Sequence, residues 1–304
     1  MKSWLQKFGL LIALAVICVV LSMLRPSTFP TWGNLINVAR QISINGILAV
    51  GVTFVILTGG VDLSLGSLVA FTGVVAATFG GMPVFVVASI GILAGAACGA
   101  VNGAAITIGR VAPFIVTLGM MTIARGLALV VSKGRPVSGL SDAFKMIGND
   151  VGGVPIPVLL LAAVAVCAWI FLSRMRLGRH VYAVGGNEKA ALAAGIGVRG
   201  VKMVAYTVCG ALAGLAGVVQ AARNTVGQPN AGIGYELDAI AAVVIGGTSL
   251  SGGVGGIGGT LLGALLMGVI NNGLDLLGVD SYFQQIVKGV IIVGAVLLDR
   301  RQGK

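Results

Sequence analysis

Long apolar stretches separated by short polar ones fill most of this 304-residue chain. A helix needs about 20 consecutive apolar residues to cross the hydrocarbon core of a bilayer. The pattern predicts membrane segments at residues 8–24, 42–59, 61–79, 84–106, 113–131, 156–173, 203–222, 239–250, 256–277 and 283–299. Glycines interrupt the third and the eighth, so either is a candidate for a re-entrant segment, and about eight to eleven crossings fit the pattern. We therefore predict an all-α integral membrane protein with about ten transmembrane helices, some broken or re-entrant, in a single transmembrane domain over residues 1–304.

Composition indicates that the bilayer is the solvent for most of the chain. Hydrophobic residues make up 57% and charged residues only 10%, whereas soluble domains carry about 25% charged residues. The mean hydropathy of +1.04 agrees. So few charges do not cover the surface of a soluble fold of this length.

Glycine accounts for 49 residues, which in lipid indicates helices that pack backbone to backbone. Two sets recur at every fourth position, and residues four apart lie on nearly one helical face. The sets are Gly91, Gly95, Gly99 and Gly103, and Gly255, Gly259 and Gly263. We expect each set to form a smooth groove for a neighbouring helix, and a role in lining a channel would be additional.

The net charge of +11 is distributed as the topology rule for membrane proteins predicts. No basic stripe with interleaved aromatics is present, so nucleic acid is not an expected partner. With the N-terminus in the cytoplasm, twelve positive residues fall inside: Lys2, Lys7, Arg110, Arg174, Arg176, Arg179, Lys189, Arg199, Lys202, Arg300, Arg301 and Lys304. Six fall outside: Arg25, Arg40, Lys133, Arg135, Lys145 and Arg223. This excess predicts a multi-pass protein with both termini in the cytoplasm.

Two outer loops are long enough to have structure of their own. Within residues 25–41, apolar side chains such as Trp32 and Ile36 share one helical face. That spacing predicts a short helix lying along the outer membrane surface. The loop at 132–155 carries several charges and is expected to form a solvated cap.

Few ionisable groups interrupt the apolar segments. Asp62 is the one acid between Ile42 and Phe79, and an acid inside the membrane is a functional candidate by default. The alternative is that Asp62 lies at a helix break and caps the next helix, where Asp is favoured; the two roles are compatible. Arg125 and Lys288 lie near the outer boundary and are expected to snorkel to the interface, with a role in binding the substrate as the alternative.

Four asparagines in the apolar segments allow two interpretations. Their amides either hydrogen-bond a polyol in transit or tie helices together, and the second use is the more common. Together with Asp62 they form the candidate set for a translocation path: Asn45, Asn102, Asn271 and Asn272.

No set of residues typical of an enzyme is present. The chain lacks a GxxxxGK[ST] phosphate loop and an HExxH motif, and His180 is its single histidine. Cys18, Cys98, Cys167 and Cys209 lie in apolar segments without a CxxC pair, which is typical of small buried hydrophobic residues. We therefore expect no catalytic residue, metal site or cofactor in this chain, so that an ATP-driven process would need a separate ATPase.

The inner loop at 174–202 is the most basic part of the chain and the most informative. Asn187 is a good N-cap, Glu188 puts negative charge into the first turn, and strong helix formers follow. Gly195 then supplies a left-handed C-cap. This predicts a helix of about two turns, suited to docking in a groove of another protein. An ordinary interhelical turn is the alternative.

A weak internal echo links TGGVDLSLGS (58–67) to IGGTSLSGGV (245–254). Five positions match at one constant offset along the chain: Gly59/Gly246, Gly60/Gly247, Leu63/Leu250, Ser64/Ser251 and Gly66/Gly253. Transporters are often built from such repeats, with broken helices beside the substrate path.

Three stretches resemble the permease subunits of bacterial monosaccharide importers of the ATP-binding-cassette (ABC) class. They are ILTGGVDLSLGS, RLGRHVYAVGGNEKAA, and YELDAIAAVVIGGTSLSGGVGGIGGTLLGAL followed by NNGLDLLGV. The resemblance runs from about residue 30 to residue 298. The second and third stretches are specific to sugar permeases, whereas the first has looser relatives among importers of branched-chain amino acids. Ribose is the expected sugar, although xylose, arabinose and galactose members share the motifs.

The resemblance implies a homodimer of permeases in the bacterial inner membrane, a cytoplasmic ATPase that holds ATP and Mg²⁺, and a periplasmic binding protein that delivers the sugar. It also implies that the helix after Asn187 is a coupling helix that docks on the ATPase, and that transport proceeds by alternating access. The matching positions are Gly186, Asn187, Glu188, Ala191, Ala194 and Gly195. An ion-coupled secondary sugar transporter is the alternative, but it would need more intramembrane acids or histidines than Asp62 supplies.

Overall fold

The computed structural model describes the backbone of residues 2–302 and the side chains of residues 9–294 and Leu297. The α-helices within this range are α1 Lys2–Leu24, α2 Trp32–Leu57, α3 Leu65–Thr78, α4 Val84–Thr107, α5 Pro113–Ser132, α6 Asp142–Lys145, α7 Ile156–Arg174, α8 Arg176–Gly186, α9 Glu188–Ala193, α10 Val198–Asn224, α11 Tyr235–Ile245, α12 Ile257–Leu276 and α13 Ser281–Gln302. A 3-10 turn covers Met146–Gly148, and the short strands β1 (Asp150–Val151) and β2 (Val154–Pro155) pair antiparallel. The side chains of Lys2, Lys7, Arg300 and Arg301, and all of Lys304, lie outside the described residues.

Six helices in the described part of the chain are long and apolar enough to cross a membrane: α2, α4, α5, α7, α10 and α12. Residues Gly9–Leu24 of α1 and all of α3 form shorter apolar helices. The chain is therefore an all-α membrane protein. Cys209 is buried as predicted, but Cys167 is exposed on the outward face of α7, where lipid rather than water would surround a small apolar side chain.

Helix α2 forms the centre of the bundle. In its most apolar stretch 89% of the residues are buried, and α7, α10, α11 and α12 surround it. Ile47, Leu48 and Val52 of α2 belong to the largest apolar cluster, which also takes in residues of α3, α10 and α11. This stretch is apolar on nearly all sides because neighbouring helices cover it.

The prediction of a separate surface helix within residues 25–41 is wrong. The second half of that stretch is the beginning of α2, which runs without interruption from Trp32 to Leu57. Arg40, the one charged residue of α2, pairs with Asp150 at an N–O distance of 2.6 Å. Because a protein loop neutralises the charge, the helix continues through this polar stretch instead of turning along the membrane surface.

Two breaks interrupt the helical bundle. The first separates α2 from α3, at residues 58–64, and the second separates α11 from α12, at residues 246–256. Helix α3 has 14 residues and α11 has 11, which gives lengths of roughly 21 Å and 17 Å, less than the hydrocarbon thickness of about 30 Å. The predicted segments 61–79 and 239–250 are therefore wrong where they extend into the breaks, although both are the segments in which glycines suggested an interruption.

Each break begins with a Schellman motif, in which two amides beyond the helix end bond carbonyls of its last turn. The amide-to-carbonyl pairs are Gly59 to Ile56, Gly60 to Val55, Gly247 to Val244 and Thr248 to Val243. Gly59 and Gly247 occupy the left-handed position of the motif, with φ of +76° and +87°. The sequence echo aligns Gly59 with Gly246 instead, so the structural repeat is shifted by one position from the repeat in the sequence.

The loops gather at two ends of the bundle. At the first, which we call the hairpin end, the loop 132–155 pairs with the loop after α10 through a bridge between Val137 and Gly227. At the second, the break end, the two helix breaks meet each other. There the amide of Gly253 donates a hydrogen bond to the carbonyl of Leu57 at 3.0 Å.

Candidate functional site

Helix α9 is the short helix expected after Asn187, and it lies at the break end. The Asn187 side chain caps it by accepting a hydrogen bond from the Ala190 amide at 3.0 Å. Glu188 accepts a hydrogen bond from the ammonium of Lys202 at 2.6 Å, which ties α9 to the start of α10. Gly195 has the left-handed φ of +79° that lets a chain leave a helix without a steric penalty.

One face of α9 is turned inward and the other outward. Ala191 is 4% exposed and belongs to an apolar cluster beneath the helix. Leu192, the next residue, is 66% exposed. The sequence motif pointed to Ala191 and missed Leu192, although a leucine within a water-facing run of alanines was a usable signal.

Helix α8, which precedes α9, was not predicted. Val181 and Val184 are buried on its inner face, and Arg176 and Arg179 are exposed on the other. This helical spacing was the signal that could have identified it. The Tyr182 hydroxyl donates to the carbonyl of Gly255 at 3.1 Å, and burial raises the pKa of this phenol, so the side chain remains a neutral donor.

Asp62 is enclosed in the first break and is fully buried. Its Oδ1 accepts hydrogen bonds from the backbone amide of Ser64 at 2.9 Å and from the Ser64 hydroxyl at 2.6 Å. Asn102 of α4 donates to the same hydroxyl at 3.3 Å. Oδ2 of Asp62 and Oδ1 of Asn102 are buried without a hydrogen-bond partner among the described residues. The thiol of Cys209, a weak donor, lies beside the carboxylate. Asp62 therefore holds the start of α3 and retains acceptor capacity on its second oxygen.

A second buried acid, Asp238, lies in the first turn of α11. Its Oδ2 is 2.8 Å from the ammonium of Lys288 and accepts a hydrogen bond from Asn271 at 3.4 Å. The prediction that Lys288 snorkels is wrong, because a buried carboxylate within reach binds the ammonium inside the protein. Sequence reasoning missed Asp238 because the predicted eighth segment began one residue after it.

Arg125 also binds protein rather than the membrane interface. Its Nη1 donates hydrogen bonds to the carbonyl of Pro229 at 2.7 Å and to the carbonyl of Ala231 at 2.8 Å. Both carbonyls belong to the loop after α10, where the backbone has no helical partners. The prediction that Arg125 snorkels is therefore wrong as well, since this loop supplies the acceptors.

Asn272 ties two helices together. Its amide and that of Asn34 bond each other reciprocally, at 2.8 Å and 3.0 Å, and so join α12 to α2. Asn45 is 7% exposed in the middle of α2. The five candidates for a translocation path thus lie in separate places: two at the first break, Asn45 at mid-helix, and two at the other end of the bundle.

Helix α4 lies against α10 along its glycine face. A Cβ atom on Gly95 would lie 2.8 Å from the Cα of Gly214, and one on Gly99 would lie 3.1 Å from the Cα of Gly210. Facing glycines on both helices thus allow the two backbones to touch. The outer members of the set, Gly91 and Gly103, face Val218 and Met203.

Comparison with known proteins gives a consistent picture. A family model described as the permease component of branched-chain amino acid transport systems matches residues 34–296. The chain is 50% identical to the ribose import permease protein of Escherichia coli strain K12, over 99% of this chain and 96% of that protein. It is 46% identical to the ribose import permease protein of Bacillus subtilis strain 168, over 98% and 94%. It is 42% identical to the D-allose transport system permease protein of Escherichia coli strain K12, over 97% and 92%. No solved structure matches the chain.

Proposed function

The chain belongs to the family of permease components of branched-chain amino acid transport systems, and on that premise we propose that it is the membrane-spanning permease subunit of an ABC importer for a monosaccharide. The relatives that match nearly its whole length are named for the import of ribose and the transport of D-allose. The relatives that are 50% and 46% identical to this chain are both ribose import proteins. Ribose is therefore the proposed substrate.

The observation that carries this proposal is the geometry of α9. A short, capped helix at the break end exposes 66% of Leu192 to solvent, in a sequence without an ATP-binding motif of its own. An exposed apolar side chain on a capped helix is suited to an apolar groove in a partner. We propose that the ATPase docks on a face of α9 formed by Leu192, Glu188 and Ala194. Asn187 and Gly195 form the caps that hold the helix in shape. Gly186 leads into this face, and Ala191 supports it from beneath.

We propose ten membrane segments: α1, α2, α3, α4, α5, α7, α10, α11, α12 and α13. Successive segments then run in alternating directions between the break end and the hairpin end, and α3 and α11 complete their crossings through the non-helical residues of the breaks. The excess of positive charge supports a cytoplasmic break end with both termini on that side. The protein would thus be a multi-pass component of the bacterial inner membrane.

The working assembly is proposed to contain two copies of this chain, a cytoplasmic ATPase that binds ATP and Mg²⁺, and a periplasmic sugar-binding protein. The ATPase would meet α9 at the break end. The binding protein would dock at the hairpin end, where the loop 132–155 forms a cap. Hydrolysis belongs to the ATPase, so this chain is not itself an enzyme.

Among the candidates for the path, Asp62, Asn102 and Asn271 offer the best chemistry for a sugar. Each has an acceptor oxygen that no N–H or O–H group of the described residues bonds, and sugar hydroxyls are hydrogen-bond donors. The oxygens of Asp62 and Asn102 are buried at the first break, so a sugar reaches them only when that break opens. Asn272 is a weaker candidate because Asn34 already uses its amide as donor and acceptor.

Transport would proceed by alternating access. ATP binding closes the ATPase pair and displaces α9, and the permeases then open toward the binding protein. ATP and the loaded binding protein must each bind one state better than the other, because a ligand shifts an equilibrium only through its differential affinity.

Sugar-stimulated ATP hydrolysis in proteoliposomes tests the function. The permease is reconstituted with the ATPase and the binding protein encoded beside it, and D-ribose is compared with an unrelated disaccharide. We expect ribose to stimulate hydrolysis and ATP to be required for uptake, even when an ionophore has collapsed ion gradients. Gradient-driven uptake by this chain without an ATPase would instead establish a secondary transporter.

Glu188 provides a sharper test of the docking face, because its partner within the chain is known. Glu188→Arg places a positive charge beside that of Lys202, and the exchange Glu188→Arg with Lys202→Glu restores an ion pair. If Glu188 acts only within this chain, the exchange restores ribose-stimulated hydrolysis. If Glu188 contacts the ATPase, as we propose, the exchange restores stability but not stimulation.

A further inference from the structure

Three glycine-containing segments meet at the break end: the end of α2 at Leu57–Gly60, the end of α8 at Gly185–Gly186, and the loop 249–255 of the second break. Their backbones touch directly. The Gly253 amide bonds the Leu57 carbonyl at 3.0 Å. A Cβ atom on Gly252 would lie 2.8 Å from the amide nitrogen of Gly59 and 2.9 Å from the Cα of Gly185. We call this contact the glycine junction.

The glycine junction is adjacent in sequence to α9. Gly186 immediately precedes Asn187, the N-cap of α9. The bond from the Tyr182 hydroxyl to the Gly255 carbonyl, 3.1 Å long, adds a second connection between α8 and the loop of the second break. Helix α9 is therefore connected directly to the place where both helix breaks meet.

The two glycines before Asn187 differ sharply in their surroundings. A Cβ atom on Gly185 would overlap the carbonyl oxygen of Leu57 and lie 2.5 Å from the amide nitrogen of Gly253. A Cβ atom on Gly186 would meet nothing within 4 Å. Only the first glycine is thus required by the packing, although the second belongs to the motif that resembles a coupling helix.

We propose that the glycine junction transmits the movement of α9 to both helix breaks at once, with Gly185 as the positioning residue of the contact. The inference rests on the proposed docking of an ATPase on α9. Backbone segments in direct contact have no flexible side chains between them, so none of the three moves far without displacing the others. The two breaks, one of which holds Asp62, then change together when the ATPase pair closes.

Matched alanine variants test the junction in the complete transporter. Gly185→Ala adds a methyl group at the contact, and Gly186→Ala adds the same group next to it in open space. We expect Gly185→Ala to lower ATP-driven ribose uptake by about tenfold or more while the ATPase still co-purifies and hydrolyses ATP, because the coupling between two sites, not the binding, is lost. Gly186→Ala should remain within about twofold of the wild type. Equal uptake by the two variants would overturn the proposal.

Cysteine labelling gives a second measurement that does not require the Gly185→Ala protein to accumulate. Ser251 is exposed in the loop of the second break, so Ser251→Cys reports on that loop in a chain that also carries Cys167→Ala. We expect the maleimide reaction rate to change when ATP and vanadate trap the ATPase pair in the closed state. The same change should appear with Gly186→Ala, and an unchanged rate in the otherwise wild-type chain would overturn the proposal. Where Gly185→Ala accumulates, the change should be absent in it.

The failure of this inference differs from the failure of the proposed function. If Leu192→Cys cross-links to the ATPase but ATP leaves the labelling of Ser251→Cys unchanged in the otherwise wild-type chain, α9 docks and the junction does not transmit. If no ATPase associates with α9, the proposed function fails, and the junction inference fails with it.

Discussion

The ammonium of Lys288 lies 2.8 Å from Oδ2 of Asp238, whose side chain is only 2% exposed. The pair joins α13 to α11, the short helix that precedes the second break. A carboxylate buried in apolar surroundings without a partner is strongly unfavourable, so the ammonium is required for α11 to keep its place.

Removal of the ammonium should therefore destabilise the protein. Lys288→Met leaves a buried, unpaired carboxylate, and we expect a loss of about 3–5 kcal/mol in the free energy of unfolding. The melting temperature in detergent measures the effect. The double variant Lys288→Met with Asp238→Asn removes both charges and should recover most of the loss.

The exposed pair of Lys145 and Asp142 is the matched control. Its carboxylate is 98% exposed, and exposed ion pairs contribute about 0–1 kcal/mol. Lys145→Met should accordingly leave the melting temperature almost unchanged. Equal melting temperatures for Lys288→Met and Lys145→Met would contradict a structural role for the buried pair.

Helix α4 should tolerate no side chain at its closest approach to α10. Gly99→Leu places a branched side chain where a single Cβ would already lie 3.1 Å from the Cα of Gly210, so we expect loss of the folded protein. Gly126→Ala on α5 is the control, because a Cβ there meets nothing within 4 Å and alanine favours a helix by about 1 kcal/mol over glycine. Size-exclusion profiles and yields after membrane extraction distinguish the two. A monodisperse, active Gly99→Leu protein would contradict this packing.

Leu192 should affect the binding of the ATPase and not the stability of this chain. Leu192→Ala removes an exposed side chain, so we expect normal accumulation but weaker co-purification of the ATPase, by about tenfold for a buried contact worth about 1–2 kcal/mol. Leu93→Ala on the outward face of α4 is the control, since both leucines are 66% exposed. The docking assignment is wrong if Leu192→Ala binds the ATPase as tightly as Leu93→Ala.

Asp62 should be replaceable by asparagine for the fold but not for transport. Asn at this position keeps an acceptor for the Ser64 amide but replaces the second oxygen with a donor group, whereas Ala removes both hydrogen bonds to Ser64, at a cost of about 0.5–1.5 kcal/mol each. We expect Asp62→Asn to melt near the wild-type temperature but to lower ATP-driven ribose uptake by about tenfold, and Asp62→Ala to melt at a lower temperature. A folded Asp62→Asn protein with wild-type uptake would show that the second oxygen takes no part in transport.

Local patterns in the sequence were sufficient for the apolar helices and for α9. The Asn187 cap and Gly195 act within their own segment, so the sequence alone predicts them. Arg125 and Lys288 behave differently, because their acceptors come from loops and helices that are distant in the chain. The snorkelling rule considers only the membrane around a charged residue, and it fails where another part of the protein is nearer.

The helix breaks show the same limit. The sequence echo pairs Gly59 with Gly246, but the backbone pairs Gly59 with Gly247, because the left-handed position follows the last turn of each helix. Sequence similarity locates each break, whereas the hydrogen bonds at the helix end determine which glycine takes the left-handed conformation. The contact of Gly185 with Leu57 likewise could not be predicted from the sequence, since it depends on how three distant segments pack.

The amide pair of Asn34 and Asn272 has a consequence for the environment in which the protein works. It joins α2 to α12 near the end that we propose faces the cell exterior, where acidity and salt follow the surrounding medium. Neither amide gains or loses a proton over any pH that a bacterium survives, and no charge is present for dissolved ions to screen. The two hydrogen bonds that join the central helix to α12 on that side therefore keep their strength whatever the pH and salt concentration of the medium.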